Sequence, residues 1–260
     1  MIYAGCDLGI VSAKAAIVED NDLLASEILP YKGFPDQAAV QVMDMALAKV
    51  GLSAKHVDHC VATGFGGKAV PHTDGVIPDI ICLHRAVRQL NPRVRTVINV
   101  GGHTFMAFNI TDNGTIGESA VTDKCAAGIG MLIDVMANAL EMPLDELIRA
   151  SADSRHPLYI NNQCPIFVES EAISLINDGH DPFDIFAGIA SSVATKIAGL
   201  VGRVNLNQEV VMVGGVAKNS IVVRNLEEKL GLRLANLDGV DPQIVGAFGA
   251  ALMAKERCHT

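Results

Sequence analysis

Tryptophan is absent from the 260 residues, yet half of them are hydrophobic and 24 are glycine, which excludes a disordered chain and fits a compact α/β protein. Positive charge is scarce: the net charge is −9, which argues against a nucleic-acid partner but is neutral toward acidic small ligands, whose sites are built locally. The start, Met1 to Asp7, shows no basic leader, and nowhere do about 18 apolar residues run unbroken, so a cytoplasmic protein without a membrane partner is expected. Two nucleotide signatures are missing, the Walker A loop and G-x-G-x-x-G after a strand, and their absence disfavours P-loop and Rossmann sites. No low-complexity linker divides the chain.

Cysteines are few and scattered. Six of them, Cys6, Cys60, Cys82, Cys125, Cys164 and Cys258, lie far apart without a secretory signal, which disfavours a disulfide framework and leaves metal ligand, reactive thiol or plain core. Cys6, Cys60 and Cys82 sit inside apolar runs and read as buried hydrophobes. Cys125 and Cys164 differ. Each stands in a turn directly before a helical pattern, where free backbone N–H groups and the positive dipole end favour a thiolate and an anionic iron–sulfur cluster. A cluster usually takes four thiolates and one chain offers two such cysteines, so the arithmetic closes if two subunits each contribute a pair.

The order of elements predicts two similar lobes. Strands at residues 2–5, 15–18 and 23–29, a helix at 36–50, a strand at 59–62 and a helix at 79–90 form the first, ending near residue 92. The second restarts at residue 93 with strands at 95–98, 105–110 and 115–119, helices at 128–140, 167–177 and 182–204, a strand at 209–213, a helix at 219–230 and a last helix after Gly246 to Gly249. Lobes of residues 1–92 and 93–260 are expected to pack with a cleft between them.

Glycine turns recur at that cleft. In the first hairpin Asp7-Leu8-Gly9 leads to Ser12, Ala13 and Lys14; Asn99 to Thr104 makes the second, with Gly101, Gly102 and His103. Glycine lets backbone N–H groups approach phosphate oxygens, Asp7 is placed to hold Mg²⁺ through water, and Lys14 to face a phosphate. Gly214 and Gly215, followed by Asn219, and Gly246 with Gly249 read as further glycine turns before two helices.

These stretches, with Ala62 to Gly66, Asp123 to Gly128, Cys164 with Phe167 to Glu171, Gly214 to Asn219 and Gly246 to Ala251, resemble the BadF/BadG/BcrA/BcrD family of iron–sulfur ATPases across nearly the whole chain. The resemblance implies duplicated ribonuclease H-like lobes of the acetate kinase/sugar kinase/Hsp70/actin superfamily with an interlobe nucleotide cleft. It also implies ATP/ADP and Mg²⁺ as ligands, and a [4Fe–4S] cluster held by Cys125 and Cys164 between this chain and a second copy or related ATPase subunit. Implied partners are an iron–sulfur acyl-CoA dehydratase or reductase, with ferredoxin or flavodoxin as electron donor.

Two departures stand out. Ile10 and Val11 follow Gly9 where the family usually has Ser and Thr, and the second turn has Asn99 and Thr104 where the family usually has aspartates. With both acids gone, Asp7, Asn99 and His103 are the catalytic candidates, His103 as the group that positions or deprotonates water, and hydrolysis is expected to be slow. A hydrolysis-impaired subunit of a mixed dimer, a nucleotide-binding protein without chemistry, and a small-molecule kinase are the alternatives.

Overall fold

The computed structural model describes residues 1–103, 105–122, 128–160, 165–237 and 239–258. Three antiparallel strands, β1 (Ile2–Leu8), β2 (Ser12–Glu19) and β3 (Asp22–Pro30), are followed by α1 (Pro35–Ala48), β4 (His59–Thr63), the two-residue β5 (Gly75–Val76) and α2 (Asp79–Leu90). The same order restarts with β6 (Thr96–Val100), β7 (Phe105–Ile110) and β8 (Ile116–Val121). Then come α3 (Ile129–Ala139), α4 (Leu144–Ser151), α5 (Pro165–Asn177), α6 (Pro182–Val201), β9 (Val210–Val213), α7 (Ser220–Leu230) and α8 (Val245–Cys258). The first sheet runs β3-β2-β1-β4-β5 and the second β8-β7-β6-β9. In each, the fourth strand returns parallel to the first, so the duplicated order read from the sequence is a duplicated topology.

Side chains alternate across each sheet, and the alternation sorts the core into layers. Val97 faces one apolar cluster with Ala16 and Val18 of the first sheet, Ala86 and Val87 of α2 and Phe248 of α8, while its neighbour Ile98 faces another built from α3 to α7. On the far side of the first sheet Ala15 and Ile17 pack with Val42 and Leu47 of α1. The layers are therefore α1, first sheet, α2 with α8, second sheet, and the remaining helices. Burial of each large apolar side chain such as Phe108 or Phe248 contributes roughly 1.5–3 kcal/mol. α6 is 20 residues long and apolar enough to cross a membrane, but most of it is buried in the core, which is what a central helix of a folded domain requires.

Two sequence expectations change. Gly246 and Gly249 lie inside α8 and not in a turn before it. α8 lies on β1 and α2, and a Cβ at Gly249 would run into the Cys82 carbonyl while one at Gly5 would overlap the Ala247 carbonyl. Small residues here serve close backbone approach, and composition alone does not separate that from a turn. β5 and α4 had no counterpart in the expected elements.

Candidate nucleotide site

The hairpin between β1 and β2 is closed by the Gly9 amide donating to the Ser12 carbonyl at 3.1 Å, and the Tyr31 hydroxyl holds the Gly9 carbonyl at 2.7 Å. Register places Lys14 opposite Asp7, where its ammonium lies 3.4 Å from the carboxylate. Gly64, at φ +83°, and Gly246 leave the space that this carboxylate occupies: a Cβ at Gly64 would collide with Asp7 Oδ1, and one at Gly246 would stand 3.0 Å from Oδ2. The second hairpin faces the first. A Cβ at Gly102 would come within 2.5 Å of Val11 Cγ2, so the two turns are in contact.

Between them opens a cleft of about 320 Å³. Of the residues singled out in the sequence, Asp7, Gly9, Ser12, Lys14, Asn99, Gly101, Gly102, His103, Gly214, Gly215, Asn219 and Gly246 line it. Ala13 and Gly249 do not. Ala13 is a buried β2 residue opposite Leu8, and Gly249 serves α8 packing. Cys125, Cys164 and Thr104 lie outside the described residues. Cys6 and Cys82 are fully buried, and burial pushes the Cys82 thiol up to about 12, so both behave as core residues.

Sequence reading missed several cleft residues. Gln243 donates to the Ser12 hydroxyl at 3.3 Å and so ties the turn before α8 to the first hairpin. Phe65 stands edge-on to His103 at 5.5 Å. Asp79, the first residue of α2, lines the cleft; burial, with the Asp7 charge adding to it, raises its carboxyl above the ordinary range. Burial does the same for Asp134 of α3. Ile133, Leu144, Ile148 and Val216 make one end of the cleft apolar. The available signal for Asp79 was an acidic residue directly after Pro78 at a helix start, which reads as ordinary dipole complementation.

Asn219 caps α7, accepting from the Ile221 and Val222 amides at 3.1 Å each, and is buried. Its Nδ2 has no partner among the described residues. A buried donor left unpaired is costly, so this atom fits a ligand acceptor. The two glycine turns, the paired Asp7 and Lys14, and the apolar end together form a cleft shaped for a nucleotide.

The fold and this cleft define a nucleotide-binding protein with duplicated lobes, and the chain belongs to the BadF/BadG/BcrA/BcrD ATPase family, which matches residues 4–254. It is 35% identical over 255 residues, 98% of this chain and 95% of the other, to the 2-hydroxyisocaproyl-CoA dehydratase activator of Clostridioides difficile. It is 34% identical over 254 residues, 97% and 96% of the two chains, to the (R)-2-hydroxyglutaryl-CoA dehydratase activating ATPase of Acidaminococcus fermentans. The solved activator of the 2-hydroxyisocaproyl-CoA dehydratase from Clostridium difficile, with bound ADPNP, superposes with a TM-score of 0.93 at 34% identity, covering 100% of this chain and 96% of that one. A ROK family glucokinase from Streptomyces griseus, at TM-score 0.59 and 15% identity over 98% of this chain and 100% of its own, shares the actin-like fold.

Proposed function

We propose that this chain is an ATP-dependent electron-transfer subunit that activates an iron–sulfur enzyme acting on a CoA ester, of the 2-hydroxyacyl-CoA dehydratase or benzoyl-CoA reductase kind. The observation that carries this reading is the seat of α3: the Met131 amide donates to the Gly102 carbonyl at 3.2 Å, and Gly130 lies so close to Gly101 that a Cβ would be 2.6 Å from its carbonyl oxygen. The helix that follows Cys125 therefore rests on the second hairpin turn. A nucleotide that shifts this turn shifts α3, and α5, which follows Cys164, packs on α3.

In this reading residues 1–92 and 93–260 are the two lobes, with α8 lent by the second to the first. Gly9, Ser12, Gly101 and Gly102 offer backbone or hydroxyl groups to the phosphates, and Lys14 exchanges its contact with Asp7 for a phosphate oxygen. Asp7 fits Mg²⁺ through water, a carboxylate held at the cleft by the two small residues around it. Gly214, Gly215, Asn219 and Gly246 border the nucleoside, whose base suits the apolar end, and His103 orients the attacking water. Cys125 and Cys164 fit one half of a [4Fe–4S] cluster, two thiols each preceding a helix, with the other half from a second copy or a related subunit. When bound, the cluster supplies a one-electron carrier. Ferredoxin or flavodoxin as donor and a cytoplasmic setting complete the reading.

The test is anaerobic purification of the full chain. A brown protein with a [4Fe–4S] spectrum is expected, and Cys125→Ala or Cys164→Ala should each abolish it; a cluster retained in both variants overturns the ligand assignment. Asn99 favours one second reading, a hydrolysis-impaired partner in a mixed ATPase dimer, because its amide cannot act as a base.

A further inference from the structure

We infer that Asp79 is the catalytic base of ATP hydrolysis, the carboxylate that takes the proton of the attacking water; the assignment rests on the ATP-hydrolysing reading above. Water attacking a γ-phosphoryl group has to be oriented and, as the new P–O bond forms, relieved of a proton by a group within hydrogen-bond reach. The described part of the second turn carries no carboxylate: Asn99 offers an amide, and the His103 ring stands against Phe65. A replacement has to come from elsewhere in the cleft.

Four carboxylates line it, Asp7, Asp79, Asp134 and Asp145. Asp134 and Asp145 sit on α3 and α4 among Ile133, Leu144 and Ile148, the apolar end suited to a nucleobase rather than a phosphate. Asp7 is boxed by Gly64 and Gly246 and, in the reading above, is committed to Mg²⁺ once Lys14 turns from it to a phosphate. Asp79 alone of the four lies in the first lobe near the hairpin turns and carries no salt bridge among the described residues.

Its position is fixed by the strand before it. The Ile77 amide donates to the Ala62 carbonyl at 2.9 Å, and the buried Thr63 hydroxyl donates to the Ile77 carbonyl at 2.8 Å, so the segment that delivers Asp79 is pinned beside the Asp7 strand. Asp79 Oδ1 accepts from the Ile80 amide at 2.9 Å, which holds the carboxylate without neutralising it. Burial and the Asp7 charge make it more basic than an ordinary aspartate, in the direction that proton acceptance needs. The step is balanced and redox-neutral. The water oxygen bonds to the γ-phosphorus, the bond from that phosphorus to the bridging oxygen breaks with its electron pair staying on ADP, and the water proton passes to Asp79.

The experiment is single-turnover phosphate release by the reduced, cluster-loaded protein, beside calorimetric ADP binding. Asp79→Asn keeps the shape and the acceptor for Ile80 and is expected to slow phosphate release by at least about 100-fold while ADP affinity stays within about threefold of wild type, a change under roughly 1 kcal/mol. Asp79→Ser, which also keeps an acceptor there, should show the same loss, and Asp79→Glu should recover part of the rate. Release at the wild-type rate in either neutral variant overturns the assignment, as does a parallel loss of ADP binding, which marks a structural residue. A wild-type protein that binds ATP and releases no phosphate defeats the hydrolytic reading itself, and Asp79 falls with it.

Discussion

At the scale of single residues, the cleft depends on small side chains around one carboxylate. Gly64 has φ +83°, where an L-residue is strained by roughly 1–2 kcal/mol, and its missing Cβ is the space held by Asp7 Oδ1 and the Leu8 carbonyl. Gly64→Ala is therefore expected to lower the melting temperature and also to weaken Mg²⁺-dependent nucleotide binding, because Asp7 must move. Gly246→Ala has a milder clash, 3.0 Å to Asp7 Oδ2, and no left-handed backbone, so its loss should be smaller on both counts. Differential scanning calorimetry with and without Mg²⁺–ADP checks the order, and a Gly64→Ala protein that melts and binds like wild type would show that Asp7 does not need the space. Gly9, Gly101 and Gly102 were legible as hairpin turns because glycine supplies the tight turn between two short apolar strands in each half of the chain. Gly249 was not, since a glycine that admits a neighbouring carbonyl and a glycine that turns the chain look alike in a string of letters. Asp79 and Gln243 were hidden for another reason: each is an ordinary polar residue at an ordinary helix start, and only the folded chain brings it to the cleft.

Helices and strands differ in how far local pattern fixes them. Periodicity placed α2 and α7 to within a residue, because each has a long apolar stripe and a clear stop, Asn91 after one and Gly231 after the other. It missed β5, two residues held by pairing to β4, and α4, whose start after Pro143 with Asp145 and Glu146 in its first turn was a usable signal. What no local pattern reveals is that α3 leans on the second hairpin. Gly130 has Gly101 O and Gly102 Cα at 2.6 and 2.9 Å from where a Cβ would stand, both backbone atoms that cannot rotate away. Gly130→Ala is expected to push α3 off the turn and raise the nucleotide Kd about tenfold, or roughly 1.4 kcal/mol, while unfolding stays cooperative. Titration calorimetry reads the first and circular dichroism the second; unchanged affinity would mean that the helix and the turn move independently, and the proposed coupling would lose its link.

The whole molecule keeps several large apolar side chains exposed near the two cysteine segments. Val121, Met131, Tyr159, Phe167 and Ile173 are all exposed, Tyr159 by 87% and Phe167 by 67%, and they flank in sequence the segments that contain Cys125 and Cys164. On α5, Val168 and Ala172 face the core while Phe167 and Ile173 do not, so two large apolar side chains of this helix stay exposed. Two copies at net charge −9 repel one another, and an association has to come from an apolar contact that outweighs this repulsion. If that contact is the face that brings two pairs of thiols together, one charge placed on it should act on assembly and on the cluster at once. Phe167→Glu leaves the core untouched, since the side chain is two-thirds exposed, and is expected to keep ADP binding, shift the anaerobic protein from dimer to monomer in light scattering, and remove the [4Fe–4S] absorbance. Raising the salt concentration should tighten the wild-type dimer, because screening weakens the repulsion and leaves the apolar contact intact. A Phe167→Glu protein that remains dimeric and brown would place the shared centre on some other face of the chain.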